Sequence, residues 1–153
     1  MVSYLYKKES ETIIKVFFEV YNDLGYGFLE KVYQNAMYFA LQKAGFKVEA
    51  QKKISVFYKG QVVGEYFADL LINDIIILEL KACECLMDVH KAQLINYLKA
   101  TNVEIGLLLN FGETAELKRF IFTNERKKIL LKFKNRPYRA NCVNLSNLEI
   151  CVP

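Results

Sequence analysis

Residues 67–99 read FADLLINDIIILELKACECLMDVHKAQLINYLK, and this stretch decides the fold. Asp69, Glu79 and Lys81 stand inside its apolar runs, where charged side chains rarely occur unless they are paired or bind a metal ion. Because side chains alternate along a strand, Glu79 and Lys81 share one face of a predicted strand over residues 75–81. The stretch therefore predicts a buried cluster of two carboxylates and one ammonium group.

This combination of residues is typical of a hydrolytic metal site. Asp69 and Glu79 offer the carboxylate oxygens that Mg²⁺ and Mn²⁺ prefer, so both are interpreted as metal ligands. Lys81 is suited to orient the attacking water or to neutralise charge on a phosphate. The alternative is a structural ion pair, although burying two acids and one lysine in this way is costly.

The turn between the second and third predicted strands decides whether the two carboxylates meet. A two-residue turn at Asn73 and Asp74 would pair Ile72 with Ile75. Asp69 and Glu79 would then lie on opposite faces of the sheet. We therefore predict either a bulge in one strand or a turn with an odd number of residues.

A helix is predicted over residues 87–100, after the Glu-x-Lys strand. His90, Gln93 and Tyr97 fall on one face of this helix, and Gln93 and Tyr97 are spaced to act on one substrate group. His90 is interpreted as a supporting residue of the site, with a solvated helix face as the alternative. The apolar run 103–109 that follows predicts a buried strand parallel to 75–81.

Two amphipathic helices are predicted before the strands, over residues 9–24 and 28–44. Ser10 is the predicted cap of the first helix. The second helix is expected to bury a stripe that consists of Val32, Ala36, Phe39 and Ala40.

Glu30 lies in the first turn of the second predicted helix. It either complements the helix dipole or contributes a third carboxylate to the site. Tyr33, one turn later, either hydrogen-bonds a carboxylate or fills the core. The sequence leaves both alternatives open.

The remaining strands are predicted over residues 53–58, 62–72 and 119–122, with an interruption near Gly64. The order is ααβββαββ, a mixed β-sheet flanked by helices. We expect a single domain over residues 1–153, with a basic extension from about residue 124. No repeat or linker divides the chain.

Composition and cysteine usage limit the class of protein and the cellular compartment that the sequence predicts. Hydrophobic residues make up 53% of the chain, which is typical of a folded globular protein. No apolar run approaches the roughly 20 residues that span a bilayer, and the first residues lack an apolar signal core. These features predict no membrane partner. The four cysteines show no CxxC pair, which favours reduced thiols and a cytoplasmic location.

Charge is distributed unevenly along the chain. Residues 118–139 contain nine basic residues and one acid, whereas the remainder is net acidic. Such asymmetry indicates an anionic partner near the C-terminal part, with a solvated surface as the alternative. The predicted nucleic-acid contacts in the extension are Lys127, Lys128, Lys132 and Lys134.

Several motifs follow one another in a set order: Gly27-x-x-Glu30-x-x-Tyr33, Asp69, Glu79-x-Lys81 and Gln93-x-x-x-Tyr97. Further matching text is HKAQLINYLKA at 90–100 and EIGLLLNFG at 104–112. On these residues the chain closely resembles the GxxExxY family of the PD-(D/E)XK nuclease superfamily, over roughly residues 8–123. Ala68 stands where the superfamily motif has proline.

The resemblance implies a restriction-endonuclease-like α/β core with a metal site at the mouth of its sheet. It implies phosphodiester hydrolysis dependent on Mg²⁺ or Mn²⁺, with nucleic acid as partner and DNA favoured over RNA. The implied catalytic residues are Glu30, Asp69, Glu79, Lys81, Gln93 and Tyr97.

Two other functions are considered beside a nuclease. One is a nucleic-acid-binding or assembly module that keeps the fold without turnover, and the other is hydrolysis of a small phosphodiester. The inward acid cluster favours catalysis over a pure binding module, and the basic extension favours a polymeric substrate. A homodimer is considered as an assembly state.

Overall fold

The computed structural model describes residues 5–128. The helices in this range are α1 (Lys7–Leu24), α2 (Glu30–Lys43) and α3 (Asp88–Ala100). The strands are β1 (Val48–Tyr58), β2 (Gln61–Ile72), β3 (Ile76–Lys81), β4 (Ile105–Phe111) and β5 (Ala115–Ile121). The predicted order ααβββαββ is confirmed.

Within residues 5–128 the strands form one five-stranded sheet in the order β1-β2-β3-β4-β5. β3 and β4 are parallel, and the other neighbours are antiparallel, so the predicted mixed sheet is confirmed. α3 provides the crossover between β3 and β4, a connection that parallel neighbours require. The C-terminal end of β3, with Glu79 and Lys81, thus lies next to the start of a helix.

Helices cover both faces of the sheet, because β3 and β4 are apolar on both faces. Leu78 and Leu107 pack in the same core cluster as Phe17 of α1 and Met37 of α2. Ile77 and its neighbours face the other way and pack in a second cluster with Leu94 and Leu98 of α3. The result is a three-layer α/β arrangement, as the sequence predicts.

The turn between β2 and β3 has an odd number of residues. Ile72 pairs with Ile76, so residues 73–75 form the connection, and Ile75 N–H donates to the carbonyl of Ile72 at 2.9 Å. Asn73 and Asp74 take positive φ values of 48° and 61°, which short polar side chains tolerate best among non-glycine residues. The register, extended by one position beyond the Leu70–Leu78 pair, sets position 69 opposite position 79. The prediction of an odd turn is confirmed.

The paired strands β1 and β2 change faces at Asp69. Ala68 packs in the α3 cluster, whereas Leu70 packs in the α1/α2 cluster, although residues two apart on a regular strand share a face. Opposite Asp69, Gln51 has a φ of 51°, and this one position is unpaired between the Ala50–Leu70 and Lys52–Ala68 pairs, which keep the same register. Ala68 and Leu70 are therefore buried on opposite faces of the sheet, and the Asp69 carboxylate lies between them, beside the end of β3.

β2 is not interrupted near Gly64 as predicted, because it runs unbroken over Gln61–Ile72. Its pairing with β1 instead shifts register there, between the Val56–Gly64 and Phe57–Val62 pairs.

Two predictions about the helices are wrong. α2 buries Tyr33, Gln34, Met37 and Leu41, while Phe39 is 68% exposed. Of the predicted stripe, Ala36 and Ala40 are partly buried and pack against the core, whereas Val32 and Phe39 are exposed, because the helix is rotated so that Tyr33 and Met37 lie at the centre of its buried face. Ser10 does not cap α1, because the helix begins at Lys7 and Ser10 lies buried inside it.

The basic extension falls largely outside the described residues. Lys132 and Lys134 lie there, as do Cys142 and Cys151. Cys83 and Cys85 carry free thiols. Among the helices described, none combines the length and apolar character that crossing a membrane would need.

Candidate active site

Asp69 lies where β2 separates from β3. Pairing between β2 and β3 runs from the Ile72–Ile76 pair to the Leu70–Leu78 pair, and Asp69 is the β2 residue just beyond that last pair. The Oδ2 of Asp69 accepts a hydrogen bond from the backbone N–H of Leu80 at 2.8 Å. The carboxylate thereby satisfies a backbone donor of β3 and is held beside Glu79.

Glu79 and Lys81 form an ion pair at the end of β3. Lys81 Nζ lies 2.7 Å from Glu79 Oε1, and the two side chains are only 14% and 3% exposed. Glu79 Oε2 is fully buried, and within residues 5–128 no hydrogen-bond donor reaches it. A buried carboxylate oxygen normally has a partner, so Glu79 Oε2 is a candidate position for a bound cation or water.

Glu30 joins the same cluster from the first turn of α2. Its charge interacts with Lys81 and Asp69, and the N–H of Ala82, next in the chain after Lys81, favours its ionised form. Glu30 belongs to an exposed turn, but partial burial of its carboxylate raises its pKa. Of the two alternatives left open by the sequence, a third carboxylate at the site fits this placement.

Burial dominates the electrostatics of the acids. It raises the pKa of Asp69, and together with the nearby Asp69 charge it raises the pKa of Glu79 to about 7. Burial lowers the pKa of Lys81, but its hydrogen bond to Glu79 and the surrounding carboxylates outweigh this, so the net shift is upward. Three carboxyl groups and one ammonium share the site, so a bound cation would favour the ionised forms that burial disfavours.

The donor set fits a hard divalent cation. Asp69 and Glu79 supply carboxylate oxygens, and Glu79 Oε2 lacks any other partner in the described chain. Residues 5–128 contain no preformed group of three or more His, Cys, Asp or Glu ligands. Mg²⁺ commonly binds through one or two carboxylates plus waters and substrate phosphates, so two protein ligands are sufficient.

Two glutamines that sequence reasoning missed hold Asp69 from the α2 side. The Nε2 of Gln34 donates to the backbone carbonyl of Asp69 at 3.1 Å. The Nε2 of Gln51 lies 3.1 Å from Gln34 Oε1 and 3.4 Å from Asp69 Oδ1. The available signal was a polar residue, Gln34, one turn after Glu30 on a helix that must bury one face.

Gln93 and Tyr97 act as a pair on α3, as their spacing predicts. Gln93 Nε2 donates to the Tyr97 hydroxyl oxygen at 2.7 Å, and Tyr97 is 3% exposed. Burial raises the pKa of Tyr97, and the charges of Glu79 and Asp69 add to this. Its oxygen accepts from Gln93, which leaves the hydroxyl hydrogen available to donate to another acceptor.

His90 and Tyr33 support the site through local structure. The N–H of Met87 donates to His90 Nδ1 at 3.2 Å, which closes the first turn of α3. Burial and the charge of Lys81 lower the pKa of His90. The hydroxyl of Tyr33 donates to the carbonyl of Gly25 at 2.7 Å and accepts from Phe28 N–H at 3.2 Å, so it fixes the turn before Glu30.

A second group that the sequence did not single out holds the segment after β3. Buried Asn110 accepts from Cys83 N–H at 3.0 Å and donates back to the Cys83 carbonyl at 2.8 Å. Gly112 passes so close that a Cβ there would lie 2.1 Å from the Cys83 oxygen. Asn110 and Gly112 therefore fix the backbone that directly follows Lys81 and Ala82.

Within the described part of the basic extension, Lys127 has a local role. Its ammonium donates to the carbonyls of Thr101 and Val103 and to Asn124 Oδ1, at 2.8, 2.7 and 2.9 Å. Burial lowers the pKa of Lys127. Lys128 is exposed.

Comparisons with known proteins agree with this architecture. Residues 7–120 match the family described as the PD-(D/E)XK nuclease superfamily. Among curated proteins nothing matches significantly. One solved structure, titled "Crystal structure of SSO0001", is 18% identical and covers 86% of this chain and 70% of its own, with a TM-score of 0.47. That similarity is too low to carry an argument. The family match spans most of the chain, which therefore belongs to the PD-(D/E)XK nuclease superfamily.

Proposed function

We propose that the protein is a metal-dependent nuclease that hydrolyses phosphodiester bonds, with DNA favoured over RNA as substrate. The pattern Gly27-x-x-Glu30-x-x-Tyr33 supports membership of the GxxExxY family within the superfamily. The observation that carries the proposal is the buried, unpaired Glu79 Oε2, opposite Asp69 and next to Lys81. A structural ion pair alone would leave no reason for an orphaned carboxylate oxygen.

Each residue of the site has a role that follows from its charge and position. Asp69 and Glu79 would hold Mg²⁺ or Mn²⁺, which when bound supplies positive charge to the phosphate and lowers the pKa of a water. Lys81 remains an ammonium and stabilises negative charge that develops on the phosphate. Tyr97, oriented by Gln93, donates to a phosphate oxygen, and Glu30 accepts from a water at the mouth of the site.

The test incubates the full chain with labelled single- and double-stranded DNA and RNA in Mg²⁺, Mn²⁺ or EDTA. We expect cleavage that requires the metal and is lost in Asp69→Asn and Glu79→Gln. Glu19→Gln is a matched control, because Glu19 is an exposed carboxylate on α1.

Metal binding is measured separately by calorimetry without nucleic acid. Wild type and the Glu19 variant should bind Mg²⁺ or Mn²⁺, and the Asp69 and Glu79 variants should not. Equal metal binding by all four proteins would reject the site. Nucleic-acid binding without cleavage under every condition would favour the catalytically silent module instead.

A further inference from the structure

The β1–β2 hairpin exposes large apolar side chains on both of its faces, and the catalytic site does not use them. Large apolar side chains at least 44% exposed on its described residues are Phe57, Tyr58, Val62, Val63, Tyr66 and Phe67. Isolated exposed apolar residues are common, but a group on one element usually marks a binding surface. β3 has 6 residues, whereas β1 and β2 have 11 and 12, so the outer part of the hairpin extends past the neighbouring strand.

A cavity of about 370 Å³ lies between this hairpin and α3. The hairpin contributes Phe57 and Tyr66 to its wall, and α3 contributes Asn96 and Lys99. The wall thus combines two aromatic rings, an amide with donors and an acceptor, and an ammonium. Lys99 is exposed, and its ammonium lies 5.8 Å from the centre of the Phe122 ring.

The cavity is joined to the catalytic site through one pair of rings. The centroids of Tyr66 and Tyr97 are 5.5 Å apart, and Tyr97 bonds to Gln93. Asn96 follows Gln93 by three residues along α3, and Lys99 follows Asn96 by three more. Residues at this spacing are neighbours on the helix surface, so the cavity is an extension of the catalytic surface along α3.

We propose that this cavity binds an unpaired nucleobase of the substrate, close to the phosphodiester that is cleaved. This inference rests on the proposed nuclease function. Phe57 and Tyr66 offer faces for base stacking, Asn96 offers hydrogen bonds to a base edge, and Lys99 offers a charge to the adjoining phosphate. A base within a duplex has both faces stacked and its edge paired, so the cavity selects single-stranded or frayed nucleic acid.

The test measures binding by fluorescence anisotropy with the full chain carrying Lys81→Met, which separates binding from turnover. The probes are a labelled 12-nucleotide single strand, the same strand as a duplex, and a single strand in which abasic sites replace the bases. Phe57→Ala and Asn96→Ala are tested, and both residues are exposed, so the fold should tolerate them. Phe39→Ala on α2 is the matched control, because Phe39 is equally exposed.

We expect Phe57→Ala to weaken binding of the intact single strand about tenfold, and Phe39→Ala to leave it unchanged. The abasic strand should bind the parent protein weakly and should show no further loss with Phe57→Ala, because both changes remove the same contact. Equal affinity of the Phe57 and Phe39 variants for the intact strand would overturn the proposal. So would equal affinity of the parent protein for intact and abasic strands.

Two further outcomes separate this inference from its basis. A wild-type protein that stacks bases in this way but cleaves nothing would contradict the nuclease function and leave the cavity assignment in place. Sedimentation without nucleic acid tests the other occupant, a second copy of the chain. A dimer that becomes monomeric only with Phe57→Ala would assign the surface to self-association and overturn the proposal.

Discussion

At the scale of single residues, Glu79 links stability to pH. Its pKa of about 7 in the folded chain lies above the ordinary value of 4.5, so the folded state holds the proton more tightly than the unfolded state. In metal-free protein, the free energy of unfolding should therefore fall as pH rises from about 4.5 to 7, and then level off.

Chemical denaturation in EDTA at a series of pH values checks this expectation. Glu79→Gln should reduce the fall, since glutamine does not titrate, and the remainder should come from Asp69 and Glu30, whose pKa values are also raised. Glu19→Gln should keep it, because Glu19 is exposed. A pH slope that persists unchanged in the Glu79 variant would assign the dependence to other groups.

Lys81 is predicted to act in the reaction rather than in folding. Lys81→Met should lower kcat by about 10²-fold or more, the usual effect of removing charge stabilisation at a reacting oxygen. The ammonium bonds only Glu79 among described residues, and Glu79 can take up a proton when that bond is lost, so melting should change little. Lys81→Arg should fail to restore activity, because a planar guanidinium does not replace a compact ammonium. Normal cleavage by Lys81→Met would make Lys81 a structural partner only.

At the scale of elements, the sequence predicted the features that depend on the hydrophobic pattern and on whether a turn has an odd or even number of residues. The requirement that Asp69 face Glu79 was enough to predict either a bulge or an odd turn, and the structure has the odd turn, formed by residues 73–75. The buried face of α2 was not predictable in the same way, because Tyr33 and Gln34 are buried while Phe39 is exposed. The face change at Gln51 also left no local signal, since it depends on how β2 separates from β3.

The loop after β4 is predicted to support the catalytic strand. Gly112→Ala would bring a Cβ to within 2.1 Å of the Cys83 carbonyl oxygen, a backbone atom that cannot move without shifting its neighbours. We expect a loss of roughly 1–3 kcal/mol in unfolding free energy and a lower metal affinity, because residues 81–83 carry Lys81 and the N–H near Glu30.

Gly64→Ala is a suitable control for that experiment. A Cβ at Gly64 would meet only Val56 Cβ, at 4.0 Å, so it should be tolerated. Thermal unfolding and calorimetric metal titration of both variants give the comparison. A Gly112 variant as stable as the Gly64 variant, with normal metal affinity, would show that the close approach to Cys83 is not required.

At the scale of the whole molecule, the sequence revealed the features that depend on local hydrophobic and charge patterns, but not the contacts between distant residues. The helix and strand order and the position of the acid cluster followed from apolar periodicity with embedded charges. Gln34, Gln51 and Asn110 did not, because each bonds to a residue 17 or more positions away. Such contacts depend on the packed arrangement of strands and helices rather than on local sequence.

The uneven charge of the chain leads to a prediction about substrate affinity. The basic residues after residue 118 would offset the negative charge of the acid cluster and hold phosphates. The Lys127 ammonium already donates hydrogen bonds to three oxygens, so Lys127 is substituted separately from the other lysines. Replacing Lys128, Lys132 and Lys134 with Gln should weaken nucleic-acid binding for all sequences and leave metal binding intact.

Salt dependence provides the measurement, because each neutralised phosphate releases counterions and contributes about −0.7 to −0.9 to the slope of log affinity against log salt. The triple variant should have a flatter slope than wild type. Lys127→Gln should instead lower the free energy of unfolding, since it removes three hydrogen bonds at the end of α3, and should leave the slope nearly unchanged. An equal slope in wild type and the triple variant would return the extension to a solvated surface, and the acid cluster would then bind its substrate without help from these lysines.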